Sequence, residues 1–279
     1  MLIAPINNII DFSNVDGPGN RMSIFFQKCP NKCLFCHNPE TINMCINCGD
    51  CVETCPVNAL EMINNKVIWD KNKCINCDTC IKTCKYLSSP KITYMSVDEL
   101  FENIKKHKMF IKGITVSGGE SMEYPDFLLE LFTRVKSIGL TCLIDSSGYY
   151  SFKEYPELLD VCDGVMLDVK ATNKEFYHYL TGNDNKVVME NLKYLLEVNK
   201  LEEVRTIIFP DKKKENEETV LKVAEILNNK VRYKLIKYRP FGVRLEGLKE
   251  LGNLITEDEE VNRLQMLVSA KYRDKIVII

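Results

Sequence analysis

The sequence has almost no net charge: 37 Lys and Arg stand against 39 Asp and Glu, leaving −2 at pH 7 over 279 residues. That balance offers no global basic field to nucleic acid or to an anionic membrane. No apolar run approaches the roughly 18 residues of a membrane-spanning helix. The opening stretch MLIAPINNIIDFSNVD has no basic start of the signal-peptide kind. The expectation is therefore a cytoplasmic chain in a reducing compartment, with neither nucleic acid nor membrane as partner. Extended disorder is excluded by an apolar content of 45%, enough for a buried core.

What the chain has in excess is cysteine. Eleven of its 13 cysteines fall between Cys29 and Cys84; Cys142 and Cys162 stand alone in apolar, strand-like segments and read as core. A disulfide framework is the plain alternative for the eleven, but a reducing compartment favours metal or cluster binding. CINCGDCVETC at Cys45 to Cys55 recurs as CINCDTCIKTC at Cys74 to Cys84, with seven of eleven aligned positions identical. Both copies have the spacing C-x2-C-x2-C-x3-C, and Pro56 follows the first, which is the bacterial ferredoxin pattern for [4Fe-4S] clusters. The fourth cysteine of each run then serves the other cluster, so Cys45, Cys48, Cys51 and Cys84 hold one and Cys74, Cys77, Cys80 and Cys55 the second. A piece as short as residues 43–87 has little apolar core and is expected to fold around its metal.

Outside that insert, strand-like segments at Ser23–Gln27, Ile114–Ser117, Leu140–Asp145, Gly164–Val169, Val204–Phe209 and Tyr233–Tyr238 alternate with helical patterns. The helices are predicted at Val97–Lys106, Asp126–Ser137, Lys186–Val198, Glu217–Asn228 and Asp258–Tyr272. Such alternation predicts a parallel sheet with crossover helices. The polar run from Asp211 to Glu218 reads as the solvated start of a helix rather than a binding patch.

Cys29, Cys33 and Cys36 lie in FFQKCPNKCLFCHNPET, spaced C-x3-C-x2-C. Three thiolates on a four-iron cluster leave one iron open to a small molecule; a zinc knuckle is the plainer reading of the same residues. With Phe35 before the last cysteine, this segment resembles the signature of the radical S-adenosylmethionine (SAM) superfamily. The resemblance implies that S-adenosylmethionine chelates the open iron and is cleaved reductively to a 5'-deoxyadenosyl radical. SGGE at Ser117–Glu120 is similar to the superfamily turn in which Gly118, Gly119 and Glu120 bind the methionine amine. LIDSSGYY and VMLDVKATN resemble the D[ST]xG and MLDxK motifs of glycyl-radical enzyme activating enzymes. They imply a monovalent cation on Asp145 and Asp168, completed by Ser146 and the Met166 carbonyl, with Lys170 and Arg205 near the anionic parts of the cofactor. IDFSNVDGPGNRMSIFF resembles the same group's VDGPGxR segment, which implies that Asp16, Gly17, Pro18, Gly19 and Arg21 touch the partner. Three departures stand out: Ser121 replaces a proline, Lys28 replaces a glycine, and YRPFGVR at Tyr238–Arg244 lacks the family histidine, leaving Arg239 or Phe241 to line the cofactor site.

The expected molecule is an α/β protein, a partial (β/α)6 TIM-like barrel from residues 1–42 and 88–279 with a two-cluster ferredoxin domain inserted at 43–87. It would carry three [4Fe-4S] clusters and accept electrons from an external flavodoxin or ferredoxin. Its radical would take a hydrogen from a glycine of a partner glycyl radical enzyme. Two rival readings are a radical enzyme acting on a small molecule and an electron-transfer iron–sulfur protein.

Overall fold

The computed structural model describes residues 1–268 and 276–278; the last four residues of the helix expected to end at Tyr272 lie outside them. In chain order the strands are β1 (Ile3–Ser13), β2 (Arg21–Phe26), β3 (Leu60–Ile63), β4 (Lys66–Trp69), β5 (Thr93–Ser96), β6 (Gly113–Gly118), β7 (Thr141–Ser146), β8 (Gly164–Asp168), β9 (Leu201–Ile208), β10 (Arg232–Lys237) and β11 (Ile276–Ile278). Nine of them form one sheet in the order β11-β10-β9-β8-β7-β6-β2-β1-β5. From β2 through β11 every neighbouring pair is parallel. The molecule is thus a mixed α/β protein with a mostly parallel sheet. The six predicted strands are the central ones, and a seventh parallel strand, β11, flanks them. Two further strands were not expected: β1 pairs antiparallel with both β2 and β5.

The helices are α1 (Thr79–Thr83), α2 (Val97–His107), α3 (Pro125–Ser137), α4 (Pro156–Val161), α5 (Lys174–Thr181), α6 (Lys186–Glu197), α7 (Lys213–Leu227), α8 (Leu245–Leu251) and α9 (Asp258–Leu267). Local signals set some of these boundaries. Ser96 and Glu99 form a reciprocal cap at the start of α2: the Glu99 N–H donates to Ser96 Oγ, and the Ser96 N–H donates to the Glu99 carboxylate, satisfying two orphan donors. α7 begins within the polar run, four residues before the predicted Glu217.

The two faces of the sheet differ because side chains alternate along each strand. Met22, Ile24, Ile114, Val116, Ile144, Val165, Val204 and Leu235 point to one face and join Leu131, Leu192 and Val220 of the helices in a single apolar core. Cys142 and Cys162 belong to that core, as predicted. The opposite face carries Ser23, Thr115, Ser117, Asp145, Asp168, Glu203 and Arg205, brought into neighbouring rows by the strand register. A sheet with one apolar and one polar face leaves the polar face for chemistry.

Residues 43–88 stand apart from this core. β3 and β4 form a hairpin, and Cys51, Leu60 and Cys80 pack in a small cluster of their own with Val67, Trp69 and Ile81. The segment leaves and rejoins the sheet domain at one neck, where Asn43 and Ser88 bridge and the Asn43 N–H donates to the Leu87 carbonyl at 2.9 Å. Asn47 and Asn76, equivalent in the two repeats, sit at φ +58° and +54°. Asn tolerates this left-handed turn better than most residues, which accounts for the asparagine shared by the two CINC segments.

Candidate functional site

The cysteine loop leaves β2 and is pinned at its two ends: the Lys28 N–H donates to the Thr41 carbonyl at 2.8 Å, and the Cys29 N–H to that of Ile42 at 2.9 Å. Lys28 sits at φ +83°, the conformation glycine favours, at the position where a glycine was expected. Its Nζ lies 2.6 Å from Glu123. Cys33 is buried, and Cys29 and Cys36 are half-buried. Burial raises all three thiols, Cys36 to about 12; Glu120 adds to the rise at Cys29, and Lys170 opposes it at Cys33. Three thiols on one loop, beside an ammonium, are soft donors suited to an iron–sulfur cluster. A metal must displace their protons, so loading is coupled to pH.

The end of β6 lies directly against this loop. A Cβ on Gly118 would fall 2.2 Å from the Phe26 nitrogen, and one on Gly119 2.2 Å from the Lys28 carbonyl oxygen. The two glycines therefore permit contact between neighbouring backbones, sealed where the Gly119 N–H donates to the Phe26 carbonyl and the Glu120 N–H to that of Lys28, both at 2.8 Å. Glu120 is 1% exposed. Its carboxylate accepts from Ser146 Oγ (2.9 Å), from Ser147 Oγ (2.6 Å) and from the N–H groups of Ser147 and Met122. Burial still pushes its pKa upward. Ser147 Oγ also accepts from Asn31 Nδ2 at 3.0 Å, and Asn183 Nδ2 donates to Asn31 Oδ1 at 2.8 Å. This chain of hydrogen bonds clamps the cysteine loop to the ends of β6 and β7.

On the polar face, Arg205 gathers three partners. Its Nη1 donates to Asp145 at 2.9 Å, its Nε to Glu203 at 2.7 Å and its Nη2 to the Met166 sulfur at 3.1 Å. Burial opposes the guanidinium charge, and Asp145 and Asp168 outweigh it, so its pKa is raised. Burial raises Asp145, with Arg205 opposing. Lys170 is buried, pairs with Asp168 at 3.0 Å and lies 5.6 Å from the centre of the Phe35 ring, which in turn packs on Phe209 at 5.2 Å. Burial disfavours the Lys170 charge, and Asp168 more than restores it.

Several expected placements need correction. Arg21 is 1% exposed, and its guanidinium donates to Thr115 Oγ1 (2.8 Å), Thr141 Oγ1 (3.0 Å) and the Ile114 carbonyl (2.6 Å). It braces the start of the sheet and has no free face for a partner. Asp16 is half-buried, and its carboxylate accepts from Ser13 and Ser23. Gly17, Pro18 and Gly19 lie with it at the start of β2, the end opposite the cysteine loop. Arg205 sits inside β9. Phe241 is 71% exposed and Arg239 is exposed, so neither lines a closed site. Ser146 turns to Glu120, away from Asp145. Sequence reasoning passed over Asn31, Ser147, Asn183 and Glu203. Ser147 had a signal as the second serine of DSSG, and Glu203 had one in standing two residues before Arg205 on the same strand face.

In the insert, one small pocket is bordered by Cys45, Cys48, Cys51 and Cys84. A second is bordered by Cys55, Cys74, Cys77 and Cys80. All 13 cysteines of the chain are free thiols. Among the described residues no three His, Cys, Asp or Glu side chains converge as a single ion requires; a four-iron cube holds its thiolates further apart than one ion does.

The sequence model of the Radical SAM superfamily matches residues 23–227. A Haemophilus influenzae protein, provisionally named a glycyl-radical enzyme activating enzyme, is 32% identical over 94% of this chain and 92% of its own length. The chain belongs to the radical SAM superfamily, among its glycyl-radical enzyme activating enzymes. Membership in this superfamily brings a [4Fe-4S] cluster and S-adenosylmethionine as cofactors. The activating enzyme of an isethionate sulfite-lyase in Oleidesulfovibrio alaskensis is 28% identical over 95% of this radical SAM chain and 94% of its own. The fold is similar to that of Streptococcus suis SuiB bound to S-adenosylmethionine, with a TM-score of 0.58 and 11% identity over 91% of this chain and 48% of SuiB. Among the described residues no helix is long and apolar enough to cross a membrane.

Proposed function

We propose that the chain activates a glycyl radical enzyme by creating the radical on that partner's glycine. The observation that carries this reading is the meeting of Cys29, Cys33 and Cys36 with buried Glu120 and with Lys170 at adjacent strand ends. When bound by these three cysteines, a four-iron cluster supplies the electron that splits S-adenosylmethionine into methionine and a 5'-deoxyadenosyl radical. Glu120 receives the methionine ammonium, exchanging serine donors for a full positive charge, which is the stronger partner for a buried carboxylate. Lys170 and Arg205 put positive charge beside the cofactor's anionic groups, and Phe35 shields Cys33's side of the loop. The open parallel sheet acts as a partial barrel whose polar face receives the partner's glycine loop, with residues 16–19 at the rim.

In the same reading residues 43–87 form a two-cluster ferredoxin domain, supported by the two four-cysteine cavities, and the chain carries three clusters in all. An external flavodoxin or ferredoxin supplies the electrons, and the free thiols fit a cytoplasmic setting. A monovalent cation between Asp145 and Asp168 also belongs here, and it requires Arg205 to release Asp145.

The test is anaerobic turnover with dithionite and S-adenosylmethionine, assayed with and without a panel of purified glycyl radical enzymes. One member is expected to raise the 5'-deoxyadenosine yield and to acquire a glycyl radical signal. A yield that answers only to a small molecule would instead favour the rival radical enzyme.

A further inference from the structure

The two cysteine repeats match in spacing, yet the charges around them do not. The cavity of Cys45, Cys48, Cys51 and Cys84 is bordered by Asp50 and by no cationic side chain. Lys85 approaches Asp50 only at 3.8 Å, with its own side chain 81% exposed. The cavity of Cys55, Cys74, Cys77 and Cys80 is bordered by Lys91 as well as by Asp78. Lys91 lies outside the repeat, on the chain returning to the sheet. Its side chain is only 13% exposed, and its Nζ lies 2.6 Å from Asp78, which is 52% exposed. The cation is therefore the less solvated member of the pair, and water screens the carboxylate more strongly than the ammonium.

Adding an electron to a cluster makes it more negative. A poorly solvated cation beside the cluster favours that state, and a carboxylate disfavours it. We infer that Lys91 sets the two insert clusters apart, giving the one held by Cys55, Cys74, Cys77 and Cys80 the higher reduction potential. An electron reaching the insert then rests on the second cluster, and the first is the stronger reductant. This rests on the two-cluster reading of residues 43–87.

The test is a redox titration of the anaerobically reconstituted full chain, followed by electron paramagnetic resonance, with iron counted in every sample. Lys91→Met, which keeps the length and removes the charge, is expected to lower one insert potential by about 59 mV, a tenfold change in a one-electron equilibrium. The other insert cluster and the Cys29/Cys33/Cys36 cluster should stay in place. Lys91→Arg should restore the potential, and Asp78→Asn, tolerated at that residue's φ of +58°, should raise it. Full iron content with all potentials unchanged in Lys91→Met would overturn the inference alone. A wild-type chain that assembles no insert clusters would overturn the reading beneath it.

Discussion

The sheet domain and the insert are held together by different physics. The sheet domain buries one continuous apolar core from strands β2 to β10 and the helices that cover them, so its stability comes from surface removed from water. The insert has three buried side chains in its cluster, and two of those are cysteines. Ile46, Met62, Ile63, Ile68 and Ile75 all stay exposed there. On the proposed two-cluster reading, a segment that leaves its aliphatic side chains in water and buries little besides Cys51 and Cys80 gives the role of a core to its ligands. If that reading holds, one chain contains a region that folds first and binds later beside a region whose folding is binding.

The largest effect should come from withholding iron. The iron-free chain is expected to keep the far-ultraviolet circular dichroism of the sheet domain while residues 43–88 become the main site of limited proteolysis. Equal protease resistance with and without iron would erase the contrast. Next, Leu131→Ala in the main core should cost about 2–5 kcal/mol, read by denaturant unfolding, whereas Ile68→Ala on the insert's exposed hairpin should stay within about 0.5 kcal/mol. Arg21→Met leaves Thr115, Thr141 and the Ile114 carbonyl without their donor and should cost about 1–3 kcal/mol without changing affinity for the partner enzyme. Weakened partner binding at unchanged stability would return Arg21 to the interface. The smallest effect belongs to Lys28→Gly. It relieves about 1 kcal/mol of left-handed strain and gives up a half-exposed ion pair with Glu123 worth about 0–1 kcal/mol, so the melting temperature should barely move.

Much of this was legible because the informative signals are local. Ligand spacing is a property of a few consecutive residues, and the central strands announce themselves as β-branched, apolar runs between turns. β1 did not, because Pro5, Asn7 and Asn8 interrupt its apolar pattern. It pairs through register shifts near the sheet edge, where one side is solvated. Arg21 misled for the opposite reason. It sits in a glycine-rich segment that reads as a surface turn, and its fate is decided by acceptors on β6 and β7, more than 90 residues away. The Asn31–Ser147–Glu120 chain and the Arg205–Asp145 pairing likewise join residues far apart in sequence, which no single segment carries. Lys91 falls outside the repeat that drew attention to the insert, and only the fold returns it to the cysteines.

The central claim is that Cys29, Cys33 and Cys36 hold a cluster separate from the two quartets. Counting iron in the reconstituted chain and in a Cys29/Cys33/Cys36→Ala variant tests it most directly. The account predicts about twelve irons in the first and about eight in the second, with S-adenosylmethionine perturbing the paramagnetic spectrum of the first alone. Equal iron in both proteins, with neither spectrum answering to S-adenosylmethionine, would contradict it.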